Sequence, residues 1–88
     1  MAYRVTKFES TPNPNALKCL VEPSPGPTPR SYFDAASAAG DPLGEALFAI
    51  DGVTNVLIHT AFITVCKRPD RAWGAMKKAI ERVLRDAA

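Results

Sequence analysis

Residues 41–67 read DPLGEALFAIDGVTNVLIHTAFITVCK, and the punctuation of this stretch decides the fold. Asp41 is a good helix N-cap, and Pro42 suits the first helical position, where its missing N–H would have no intrahelical partner. Leu43, Leu47 and Ile50 fall on one face at helical spacing, with Phe48 beside them. Gly52 supplies the left-handed stop. The periodicity then changes from that of a helix to that of a strand. Residues 53–58 and 62–67 are two apolar strands joined by a tight connection around His59-Thr60-Ala61. Val56, Ile58, Ile63 and Val65 share one face of this hairpin; Leu57, Thr64 and Cys66 share the other.

Upstream, residues 3–8 alternate: Tyr3, Val5 and Lys7 point one way, Arg4, Thr6 and Phe8 the other. Residues 16–22 form a second strand with Leu17, Cys19 and Val21 on one face. The intervening TPNPN, residues 11–15, makes the pair an antiparallel hairpin with a long loop. Residues 22–30, EPSPGPTPR, carry proline at every second position from Pro23 to Pro29. Each residue before a proline is driven to extended geometry, so this is a stiff, solvated surface loop. Residues 31–33 add at most a short extended piece, and the small residues AASAAG at 35–40 are left open between loop and helix. Downstream, Pro69 ends the sheet and Asp70 caps a final helix. Its apolar stripe is Trp73, Met76, Ile80, Val83, Leu84 and Ala87, with Arg71, Lys77, Lys78, Arg82 and Arg85 largely off it. The expected fold is α+β: a two-layer sandwich of a mainly antiparallel four-stranded sheet with two helices on one face, in the order β-β-α-β-β-α.

The chain has 88 residues, read as one domain over 1–88. A domain this small buries about 60–65% of its unfolded surface, so its core is thin and a bound partner adds to stability. Apolar residues make up 47% and charged residues 23%, which is the composition of a soluble globular domain. A net charge of +2 is too mild to argue for nucleic acid, where affinity rests on many phosphate contacts, or for an acidic membrane surface. No apolar run is long enough to span a bilayer. The first ten residues, MAYRVTKFES, lack the apolar core and cleavage site of a signal peptide. With two cysteines far apart and no secretory signal, reduced thiols in the cytoplasm are expected.

Little here can carry a chemical step. There is no C-x-x-C and no paired histidine, and cluster or zinc sites need three or four converging ligands. Cys19 and Cys66 are weak candidates for an iron site, shared across a homodimer if at all, and otherwise small hydrophobes. A Cys66–His59 pair would lie near opposite ends of a hairpin rung, with no Asp or Asn placed to orient the imidazole. The glycines form neither a dinucleotide-binding nor a P-loop pattern. The basic last helix is a solvated face or a docking surface for an acidic peptide or nucleic acid. TPNPN remains: Thr11 and Asn13 precede prolines and are held extended, and Asn13 and Asn15 can bond the backbone through their side chains. It is an internally satisfied elbow, or a rigid recognition loop with Lys18 and Lys67 as nearby charges.

TPNPNALK, DPLGEALFAIDGV and FITVCK, followed by a helix bearing Trp73, together resemble the N-terminal domain of the Nfu/NifU-like iron–sulfur scaffold proteins. The resemblance runs from Phe8 to about Leu84 in the family's order. It implies a small α+β domain, and it implies that full-length members carry the cluster-binding C-x-x-C in a separate C-terminal domain. This sequence departs from the family pattern at Cys19, Ala61 and Cys66, and no residue matches the cluster ligands. What the resemblance implies is therefore a non-enzymatic, protein-binding accessory role in cluster assembly or delivery, without a cofactor of its own. The partner would be a C-x-x-C scaffold or an apo-target, and the oligomeric state stays open. Thr11, Pro12, Asn13, Pro14, Asn15 and Lys18 match the most distinctive motif, as do Phe62, Ile63, Thr64 and Lys67. All of these except Ile63 are the candidate partner-binding residues.

Overall fold

The computed structural model describes residues 3–86. Its elements are β1 (Arg4–Ser10), β2 (Ala16–Glu22), β3 (Arg30–Tyr32), α1 (Pro42–Phe48), β4 (Val53–Ile58), β5 (Phe62–Lys67) and α2 (Trp73–Asp86). The strands form one sheet in the order β1-β2-β5-β4-β3, and every neighbouring pair is antiparallel. The fold is thus α+β with two helices, but the sheet has five strands rather than four. The extra strand is β3, which pairs Arg30, Ser31 and Tyr32 with Ile58, Leu57 and Val56.

Three residues are too few to read as a strand from periodicity. Arg30 Nε and Tyr32 Oη both donate to Asp41 Oδ2, each at 2.6 Å. The other carboxylate oxygen accepts the Leu43 amide at 3.2 Å and the Gly44 amide at 3.4 Å. One side chain therefore caps α1 and ties β3 to it. At Gly44 the helix comes so close that an added Cβ would lie 3.0 Å from the Tyr32 ring and 3.1 Å from Ala38 Cβ. Residues 35–40 form turns, not helix, and Ala38 is fully buried among them.

Both helices cover the same side of the sheet. Leu17, Cys19 and Val21 of β2, Val56 and Ile58 of β4, and Ile63 and Val65 of β5 form one buried cluster with Leu43 and Leu47 of α1 and Met76, Ile80 and Leu84 of α2. Each such Leu, Ile, Val or Met side chain contributes about 1.5–3 kcal/mol when fully removed from water. Gly52 has φ +99°, and an added Cβ there would sit 2.7 Å from Arg71 Cγ, so both conformation and space require glycine.

Two details depart from simple periodicity. The β1–β2 register breaks between Val5 and Lys7. Tyr3, Val5 and Phe8 consequently pack on the core, while Lys7 turns outward. A bulge shifts every later side chain to the opposite face, and strict alternation cannot anticipate it. Asp70 does not cap α2: the turn closed by the Arg71 amide on the Arg68 carbonyl places Asp70 beside Arg68, 3.4 Å from its Nε, and the helix starts three residues later. Ala87 lies outside the described residues. The proline-rich segment connects β2 to β3, with Pro25 buried and Pro23, Pro27 and Pro29 exposed.

Candidate partner-docking surface

The TPNPN loop closes on itself. The Thr11 hydroxyl donates to the Asn13 carbonyl at 2.8 Å or the Ala16 carbonyl at 3.0 Å, and accepts the Asn13 amide at 3.2 Å. Asn13 Oδ1 accepts the Asn15 amide at 2.9 Å, an Asx turn that replaces the ladder the prolines cannot form. Pro12, Asn13 and Pro14 are exposed. The loop is also fastened from below. Lys67, only 8% exposed, donates from Nζ to Asn15 Oδ1 at 3.1 Å and to the Arg68 carbonyl at 3.3 Å, while its amide donates to the Asn15 carbonyl at 2.8 Å. Trp73 Nε1 donates to the Pro14 carbonyl at 3.0 Å, and the Lys67 ammonium lies 5.5 Å from the Trp73 ring centroid. The loop, the end of β5 and the start of α2 form one hydrogen-bonded unit.

Lys18, Phe62 and Thr64 stand elsewhere, on the side of the sheet that no helix covers. The register places Leu20 opposite Phe62, Lys18 opposite Thr64 and Ala16 opposite Cys66; across β5, Leu57 faces Thr64 and Asn55 faces Cys66. These side chains are half-buried. The Lys18 ammonium sits 4.4 Å from the Phe62 ring centroid, and the His59 ring stacks on Phe62 with centroids 4.7 Å apart and planes 3° from parallel. Glu9 lies 3.8 Å from Lys18 and 3.6 Å from Lys7. Beside this row a hollow of about 360 Å³ is lined by Ser31, Phe33, Asn55, Leu57, Thr64 and Cys66. Phe33, just past β3, is 73% exposed.

Antiparallel sheets often present a polar second face to water. Here that face instead carries Leu20, Leu57, Phe62, Cys66 and Phe33 beside a single cluster of charge. Of these, Leu20, Leu57 and Phe33 were not among the candidates from sequence; strand parity alone puts Leu20 and Leu57 on this side.

The two cysteines are separated by the sheet itself. Cys19 is fully buried on the helix side, and burial pushes its thiol up to about 12, with Lys77 opposing the shift. Cys66 lies on the open side, its thiol also raised by burial. Among the described residues, no three Cys, His, Asp or Glu side chains converge as metal ligands, and no helix is long and apolar enough to cross a membrane.

Solved structures share this architecture. A crystal structure from Staphylococcus aureus superposes with TM-score 0.75, covering 91% of this chain and 96% of that one at 23% identity. The solution structure of a NifU-like protein from Saccharomyces cerevisiae gives TM-score 0.74 at 25% identity, covering 89% of this chain and 72% of that one. Among curated proteins, the mitochondrial NifU-like protein 5 of Arabidopsis thaliana is 39% identical over 83 residues, 89% of this chain and 29% of that protein. The mitochondrial NFU1 iron-sulfur cluster scaffold homolog of Drosophila willistoni is 34% identical over 80 residues, 89% of this chain and 28% of that protein. The chain therefore spans under a third of these relatives' length. A sequence profile described as the N-terminal part of the scaffold protein Nfu/NifU matches residues 6–88, and the chain belongs to that family.

Proposed function

We propose that this chain is a non-enzymatic docking domain in iron–sulfur cluster assembly, engaging a partner protein through the open face of its sheet. The observation that carries the reading is the set of apolar side chains Leu20, Phe62, Leu57 and Cys66 on the sheet face that neither helix covers. Relatives named as iron–sulfur cluster scaffolds supply the pathway. The partner is a C-x-x-C scaffold or an apo-target. A cluster held by Cys19 and Cys66 gains no support, since a fully buried thiol and an open-face thiol on opposite sides of one sheet cannot converge without unfolding it. A reducing compartment, the cytoplasm, belongs to the same proposal because both thiols are free.

The test is affinity capture from native lysate, with the Leu57→Glu/Phe62→Glu double variant as control and mass spectrometry as readout. Cluster-assembly proteins should be retained by the native chain and lost by the variant. Retention of the same set by the variant, or capture confined to proteins outside cluster assembly, would overturn the proposal.

A further inference from the structure

We infer that the groove between the free edge of β1 and α2 accepts an extended acidic segment of a partner protein as an added strand. This surface is separate from the open sheet face. Three independent observations lead to it.

The first is backbone geometry. β1 ends the sheet order, so among the described residues its outer side has no neighbouring strand. α2 packs beneath it: the Tyr3 amide donates to the Leu84 carbonyl at 2.8 Å, and the Lys77 ammonium lies 5.5 Å from the Phe8 ring centroid. A free strand edge lying along a helix is the arrangement by which several peptide-binding domains take in an extended ligand.

The second is space. Two hollows of about 340 Å³ each lie along this junction. One is lined by Phe8, Ser10, Thr11, Pro14, Trp73 and Lys77, among others, and the other by Tyr3, Arg4, Val5, Glu81 and Arg85. Val5 and Phe8 are roughly 10 Å apart along a strand, so alternate side chains of one added segment reach both hollows.

The third is charge. Arg4, Lys7, Lys18, Arg30, Arg68, Arg71 and Arg85 each have a carboxylate partner, and Lys67 is held by Asn15. Lys77, Lys78 and Arg82, all on α2, have no ion-pair partner among the described residues. Of the three, Lys77 lines the groove, at the hollow beside Trp73. Glu81 sits at the far hollow, so acidic residues of the incoming segment belong at the Trp73–Lys78 end and apolar ones at the Tyr3–Val5 end. Charges and a bulge on an edge strand ordinarily discourage pairing between like copies. Lys7 and Glu9 point to the open face, and the bulge precedes Lys7, so Lys7–Ser10 remains a regular edge for a complementary strand.

The probe is a capped heptapeptide alternating glutamate and threonine in one half and valine and threonine in the other, together with its reversed sequence. Titration into isotopically labelled protein should shift the amides of residues 7–10, the Trp73 indole and the amides of Lys77 and Lys78. Affinity should fall with added salt. The Lys77→Glu/Lys78→Glu variant should weaken it by about tenfold or more, and N-methylation of alternate peptide amides should abolish it. The Leu57→Glu/Phe62→Glu variant should bind unchanged, which separates this proposal from the open-face one. Absence of saturable shifts at millimolar peptide would overturn the inference. So would shifts confined to the open face, equal binding of the N-methylated peptide, or equally tight binding of an oligothymidine at the same residues.

Discussion

The Asp41 carboxylate accepts four hydrogen bonds, from Arg30 Nε, Tyr32 Oη and the Leu43 and Gly44 amides. Burial alone would raise its carboxyl; hydrogen bonds from Arg30, Tyr32 and the Gly44 amide outweigh that and hold it below its ordinary value. A carboxyl depressed in the folded state stabilises the protein above its unfolded value, near pH ~4, and that stabilisation fades as pH falls through the lower folded value. Asp41→Asn keeps a capping oxygen but loses the negative charge that pairs with Arg30. It should lower stability by roughly 1–2 kcal/mol at neutral pH. The gap to the native protein, read from denaturant midpoints, should close on acidification. The cysteines give a second expectation at this scale. Alkylation needs a thiolate and access, so iodoacetamide should label Cys66 slowly and Cys19 only in denaturant, as intact mass will show. The cap at Asp41 was legible in the sequence because Asp-Pro before an apolar period is a local signal. The burial of Lys67 was not, because a lysine at a strand end reads as solvated until Asn15, fifty-two residues away, is brought to its ammonium.

Among the elements, those with strong local periodicity were readable in advance. The alternation in β2, β4 and β5 and the stripe of α2 declare themselves within a few residues. β3 did not, since it exists by pairing with β4 and by the two hydrogen bonds to Asp41. The inward turn of Phe8 was hidden for the same reason: a bulge is a property of two strands together. The TPNPN elbow is an element held by its neighbours, and loosening it should show there. Lys67→Met leaves Asn15 Oδ1 without its partner and should cost about 1–3 kcal/mol. Trp73→Phe removes one bond to the Pro14 carbonyl and should cost about 0.5–1.5 kcal/mol. Both should speed hydrogen exchange at Asn15 and Ala16 more than at the Ile63 and Val65 amides. Gly44→Ala tests the α1–β3 approach; with the Tyr32 ring and Ala38 in its way, it should destabilise by roughly 1–3 kcal/mol despite alanine's better helix propensity.

For the whole molecule, a single core under one face of the sheet leaves the other face free to bind. Leu57→Glu/Phe62→Glu should therefore keep the helix-side core folded, at a cost of roughly 1.5–3 kcal/mol for two half-buried apolar side chains, yet remove partner capture. The open face was partly legible, since strand parity assigned Leu57, Thr64 and Cys66 to it. Its apolar character was not, because only the sheet order β1-β2-β5-β4-β3 brings Leu20 beside Phe62 and Phe33 to the hollow beside Leu57 and Cys66.

The tether between Asp41 and β3 reaches beyond the stability of one molecule. The three residues of β3 are what shield the outer border of β4, whose VLI run is bare hydrophobic ribbon once they leave. Acid strong enough to protonate Asp41 would release that guard strand and offer the ribbon to a neighbouring chain. Holding the protein well below pH ~4 should then seed assemblies growing from this border, visible as rising light scatter, and Asp41→Asn should do so already at neutral pH.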